Sequence, residues 1–148
     1  MGDRVSISFK DKDGDESPSI FHHWGGTWFP QVALHWMTDF HARIKKEKGR
    51  ISDPTSRMES RNLMVQFIGE LRQHKQLREC KGFEKTDGKS DINKPIVHDT
   101  DISHSIYLGK EPNDGDNSDN GHYTIHTHNL IMINDKGETI TRKDNPNE

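Results

Sequence analysis

Hydrophobic and polar positions alternate at the start of the chain, with Val5, Ile7 and Phe9 set against Ser6, Ser8 and Lys10. A period of two predicts a half-buried strand. Asp11-Lys12-Asp13-Gly14-Asp15-Glu16 is dense in turn formers, and Ser19 to His23 reads as a second strand, so residues 4–23 are expected to form an antiparallel hairpin. The period then changes. Phe29, Val32, Ala33, Trp36, Met37, Phe40 and Ile44 recur at helical spacing, which predicts an amphipathic helix from about Pro30 to Lys48, stopped by Gly49. Ser52-Asp53-Pro54 and the capping-box spelling Ser56-x-x-Glu59 open a second helix, whose stripe of Met64, Phe67, Ile68, Leu71 and Leu77 ends near Cys80 and Gly82.

Beyond Gly82 the pattern fades. Residues 82–103 read as loop with a short extended piece at Ile96-Val97, a length that marks functional or mobile segments. Ser105 to Leu108 is a third strand, 109–121 the most polar loop, and His122 to Asn134 one long strand. Asn134-Asp135-Lys136-Gly137 is a hairpin turn, Thr139 to Arg142 a last strand, and Lys143 to Glu148 a disordered tail. The order β-β-α-α-β-β-β, with neighbouring strands antiparallel, predicts a single α+β domain over 1–142, an antiparallel sheet with two helices packed on one face.

Composition sharpens this picture. Of 148 residues, 28% are hydrophobic and 30% charged, which leaves a small core and favours a homo-oligomer that buries more surface. The net charge of −3 argues against duplex nucleic acid or a membrane surface as partner. No apolar run is long enough to span a bilayer, and Met1-Gly2-Asp3-Arg4 lacks a signal-peptide core. A single cysteine, Cys80, rules out an internal disulfide and fits a reducing cytoplasm; beside a helix end with no base near it, it reads as a packing or surface residue. Lys45, Lys46 and Lys48 compensate a helix C-terminus, with phosphate binding as the sharper alternative.

Candidate chemistry gathers in a few places. Ile20-Phe21-His22-His23-Trp24-Gly25-Gly26-Thr27-Trp28-Phe29-Pro30 is a strand running through a glycine turn into a helix. Such a turn lets a ligand approach bare backbone, and the helix start offers unpaired N–H groups. His22, His23, Trp24, Gly25, Gly26, Thr27 and Trp28 are therefore ligand-binding candidates, with Trp24 and Trp28 able to stack; the plainer reading is a turn whose Trp28 and Phe29 staple the helix to the core. On a strand, His122, Thr124, His126 and His128 share one face, a possible general base or zinc set, with a solvent-facing polar surface as the alternative. If any metal binds, His126 and His128 are the candidate ligands; no cofactor motif is present. His122-Tyr123-Thr124 also fits the His-x-Thr spelling of two-histidine phosphoesterases, which carry a second copy about half the fold away; none stands at that distance. Asp11, Asp13 and Asp15 have calcium-loop spacing, but Glu16 takes the place of the required glycine. Asp116-x-Ser118-x-Asn120-Gly121 has that glycine but ends on Thr127 in place of glutamate, and both stretches default to surface turns.

Met1-Gly2-Asp3-Arg4-Val5, the phrase His23-Trp24-Gly25-Gly26 after a strand, and Asp119-Asn120-Gly121-His122-Tyr123 together resemble a largely uncharacterised family of small proteins of phages, bacteria and archaea. The resemblance spans both ends of the chain, leaves 45–105 unmatched and carries no activity. A phage setting implies an accessory protein, and by analogy one that sequesters a nucleotide signal of host immunity. The leading expectation is thus a non-enzymatic module for a small anionic, nucleotide-like ligand. In it Trp24 stacks on the base, Gly25, Gly26 and the helix start receive phosphate, and Arg4 and Arg142 add charge if their strands are neighbours. The rivals are a metal- or histidine-dependent phosphodiesterase using His122, Thr124, His126 and His128, and a protein-interaction subunit with exposed aromatics. A fully buried Trp24 with no cavity beside it would end the first reading.

Overall fold

The computed structural model describes residues 2–46, 58–73, 79–81, 95–97 and 106–141. Arg142, the tail, the Ser56 cap, Lys48, His98 and His104 lie outside the described residues, as does the 82–103 segment apart from 95–97.

Alternation in the first strand does what its period requires. Strand β1 (Val5–Lys10) turns Val5, Ile7 and Phe9 into the core and pairs antiparallel with β2 (Ser19–His22), in the register Val5↔His22, Ser6↔Phe21 and Ile7↔Ile20. Helix α1 (Trp28–Lys46) follows, then α2 (Ser60–Gln73), β3 (Glu79–Lys81), β4 (Pro95–Val97), β5 (Ile106–Gly109), β6 (His122–His126), β7 (Ile131–Asn134) and β8 (Thr139–Ile140). The main sheet has the order β5-β2-β1-β6-β7-β8, while β3 and β4 form a separate antiparallel pair. The fold is α+β.

Three expectations change. Strands β1 and β6 run parallel, through Ser6↔His122 to Lys10↔His126, so the centre of the sheet is not antiparallel. The long strand expected over 122–134 is two antiparallel strands, β6 and β7, folded back at 127–130, where Leu130 takes a left-handed φ of 57°. The second helix is described as Ser60–Gln73, residues 74–78 lie outside the described residues, and Glu79–Lys81 is extended, so Cys80 sits on a strand rather than at a helix end.

The helices cover the face that carries Val5, Ile7, Phe9, Ile20, Ile125 and Met132. Phe9, Trp36 and Phe67 meet at ring-centroid distances of 5.3–6.2 Å, mostly edge to face, an arrangement that adds to simple area burial. Glu70 on α2 accepts hydrogen bonds from the Trp36 indole and, at 2.9 and 3.1 Å, from Arg43, whose guanidinium also lies 5.0 Å over Phe40. Asp11 joins turn to helix. Its Oδ1 accepts the Asp13 and Asp15 N–H groups at 3.1 Å, and its Oδ2 accepts the first helical N–H, from Ser60, also at 3.1 Å. A side chain spelled like a calcium ligand therefore caps α2 from outside.

Candidate functional site

The sheet's second face carries the polar partners of the alternation: Ser6 and Ser8 on β1, Phe21 on β2, Tyr107 on β5, and His122, Thr124 and His126 on β6. The 110–121 loop is fastened across part of this face. Asn117 donates to Ser6 Oγ (2.8 Å), the Asp116 N–H to the Tyr107 hydroxyl (3.0 Å) and the Asn120 N–H to the Arg4 carbonyl (2.9 Å). Tyr107 stacks on Phe21 at 5.0 Å, and Gly115 passes so close to the Phe21 ring that a Cβ there would sit 2.8 Å from it. The loop supplies no strand, but its backbone is tied to the sheet at several points.

His122 is locked between hydroxyls. Ser6 Oγ lies 2.7 Å from Nδ1 and Ser8 Oγ 3.0 Å from Nε2, while Ser8 gives its proton to Glu16 Oε1 at 3.0 Å. A carboxylate only accepts, so the Ser8 proton is committed. Nε2 must then carry the ring proton and donate to Ser8, and Nδ1 accepts from Ser6, whose oxygen takes the Asn117 amide. Every donor in this chain from Glu16 to Asn117 has an acceptor when the ring is neutral. Burial holds the His122 pKa below its ordinary value, against the pull of Glu16 and Asp135. His126, farther along the same face, is also held low, first by burial and then by Lys10.

The expected four-residue set is incomplete. His122, Thr124 and His126 share the face, but His128 is exposed in the 127–130 turn, because the strand ends at His126. Among the described residues no three His, Cys, Asp or Glu side chains come together as a metal ion needs. His98-Asp99-Thr100 does repeat the His-x-Thr spelling, close before His122 rather than half the fold away, and outside the described residues.

The glycine turn is placed differently. His22 is fully buried on the helix face, edge to face with Trp28 (5.0 Å) and Phe29 (4.9 Å), and its Nδ1 accepts the Trp24 N–H at 3.1 Å. A Cβ on Gly25 would meet Val5 Cγ1 at 2.5 Å, and one on Gly26 would meet Asp3 Oδ2 at 2.6 Å. The close approach that this Gly-Gly pair allows is made by the chain's own Val5 and Asp3, which stand where phosphate was expected. Thr27 is exposed and Trp28 half-buried, its indole donating to the Trp24 carbonyl at 3.2 Å. Trp24 is 44% exposed and lies edge to face with His23 at 4.8 Å.

Arg4 faces this rim but is already engaged. Its Nε lies 3.1 Å from Asp116, and Asp119 accepts both its backbone N–H (2.9 Å) and its side chain (3.5 Å). Hydrogen bonds from the Ser118 hydroxyl and N–H lower the Asp116 pKa, with Arg4 and His23 adding to them. Strand β8 is separated from β1 by β6 and β7, and Arg142, which follows it in sequence, lies outside the described residues.

No protein-family model matches the chain, and no curated protein or solved structure matches it either. No helix among the described residues is long and apolar enough to cross a membrane.

Proposed function

We propose that this chain is a non-enzymatic binding module that holds a small, flat, nucleotide-like ligand on the rim where β2 runs into α1. The state of Trp24 carries the reading. Its backbone is fastened on both sides, by the His22 ring and the Trp28 indole, yet its own ring stands 44% exposed. An aromatic held in place but left out of the core is suited to stacking, which is worth roughly 1–3 kcal/mol per base. Arg4 is bonded to Asp116 and Asp119 of the adjoining 110–121 loop, and Asn120 to Asp3, so the rim beside the ring is held in place by its own hydrogen bonds. Asp3, Asp116 and Asp119 outnumber Arg4 there, so the ring rather than a phosphate is the recognised part. In a phage setting such a module would act by sequestering a nucleotide signal, an extension supported only by the resemblance of the two chain ends.

Native mass spectrometry of gently purified protein, followed by denaturation, tests this. The expected result is a released nucleotide-like compound of unaltered mass, retained at least about tenfold less by Trp24→Ala, the loss that stacking energies imply. Turnover of added cyclic or linear nucleotides that His126→Ala abolishes would overturn it in favour of a phosphodiesterase.

A second reading has its own observation. Tyr107 and Leu108 on β5, the outermost strand of its side of the sheet, are 43% and 54% exposed. Exposed apolar side chains on an edge strand suit a partner protein or a second copy of the chain. A mass twice that of the chain, lost in Leu108→Lys, would favour this reading.

A further inference from the structure

The hydrogen-bond chain through His122 has a fixed direction, and it ends on the 110–121 loop. Asn117 Nδ2 lies 3.0 Å from the Pro112 carbonyl and 2.8 Å from Ser6 Oγ. A carbonyl only accepts, so the amide orientation is settled and Asn117 donates to both. The Ser6 proton goes to His122 Nδ1 at 2.7 Å. At the far end Ser8 gives its proton to Glu16, and Nε2–H donates to Ser8. The chain closes without a spare proton only while the imidazole is neutral. Ser6 is fully buried and His122 half-buried.

A second proton on the ring does not fit this chain. Nδ1–H would then point at Ser6 Oγ, and the Ser6 hydroxyl has no other acceptor among the described residues. Buried hydroxyls are almost always satisfied. Asn117 can supply the acceptor only by turning its amide over, which surrenders its bond to Pro112 and the donor that ties the loop to β1. Burial is the largest influence on the ring and opposes its charge, while Glu16 from the 11–16 turn and Asp135 from the turn after β7 favour it. Lys10 acts on His126, farther down the strand, and Arg4 is paired with Asp116 and Asp119. A ring freed from the chain takes the proton more readily than the native one, so falling pH favours release. We propose that Asn117 is an acid-released latch: the 110–121 loop stays fastened over β1 while His122 is neutral, and its 112–117 span comes loose when the ring is protonated. Loosening uncovers the Phe21 ring, over which Gly115 passes, and leaves the bonds of Asn120 to Arg4 and Asp3 in place. The latch does not require a ligand at the Trp24 rim.

The test is nitrogen NMR of the His122 ring and the Asn117 side-chain amide in the intact chain, without ligand, from about pH 7.5 to about pH 5. The Nε2–H tautomer is expected at the upper end. As the ring takes its second proton, the Asn117 amide resonances should move with the same midpoint. The Gly121 amide, which donates to the Asn117 carbonyl, should lose about fivefold in exchange protection beyond the intrinsic pH effect, while the amides of α1 keep theirs. His122→Gln, which cannot titrate, and Ser6→Ala, which lacks the hydroxyl, should each abolish the response, and His126→Gln should retain it, with the circular dichroism of each variant unchanged. An Nδ1–H tautomer at neutral pH overturns the proposal, as do Asn117 resonances that ignore the ring titration. So does a response that survives in Ser6→Ala or disappears in His126→Gln, or a loss of α1 protection at the same midpoint, which would be global unfolding.

Discussion

An added methyl at Gly25 would meet not only Val5 but also the Cβ atoms of His22 and Phe29 at 3.0 Å. None of these is the free end of a long side chain, so Gly25→Ala should destabilise the fold by about 1–3 kcal/mol, read as a lower urea midpoint with unchanged slope. The glycine pair was legible in the sequence as a place of close approach; which group approaches was not. Bare backbone serves a ligand and a valine equally, and only the β1–β2 register brings Val5 opposite His22. Trp24 behaves oppositely. With its ring largely outside the core, Trp24→Ala is expected to cost less than about 1 kcal/mol of stability while removing the stacking surface. A melting curve together with the ligand-release experiment would separate the two effects.

Elements were legible where one period ran uninterrupted. The β1–β2 hairpin and α1 follow their patterns, although α1 is buried beyond its stripe, with Gln31, Leu34 and Thr38 also enclosed. The break at 127–130 was hidden because Thr127-His128-Asn129 contains neither glycine nor proline, and the left-handed residue is Leu130. What makes the turn work is tertiary: the Thr127 hydroxyl donates to the Met58 carbonyl at 2.8 Å, and its N–H to Lys10 O at 2.9 Å. Asp11 is similar, a helix cap that no local spelling reveals. Asp11→Ala removes three hydrogen bonds to one carboxylate at once and should cost about 2–4 kcal/mol, measured by urea unfolding. His122 makes the fold respond to acid. Its native pKa lies below the unfolded value, so the unfolded chain takes the proton first. Stability from this group is whole above about pH 6.5 and declines as the pH falls toward the native value; His126 acts with the same sign. Urea midpoints at about pH 7.5 and about pH 5.5 should differ less in His122→Gln than in the parent chain. Tyr123, raised chiefly by burial and then by Asp135, acts at the alkaline end, where stability falls as the pH rises above about 10.

At the scale of the molecule, the sheet was legible as a class and not as a topology. The helix-covered face could be read from Val5, Ile7 and Phe9, but Ser6 and Ser8 were expected at a polar surface, and both are buried. What encloses them includes the 110–121 loop, which composition alone marks as surface. Strand order was hidden for a related reason: nothing local in Ser6 or His122 says that they are neighbours. That pairing has a consequence for how the molecule comes into being. The first strand waits, during synthesis, for a parallel partner made more than a hundred residues later. Until β6 leaves the ribosome, Ile7 and Phe9 lack one wall of their core. Closing so long a loop before any contact rewards it slows folding and leaves sticky intermediates. The chain should therefore gain protease resistance in one late step, and a nascent chain stalled before β6 should remain chaperone-bound.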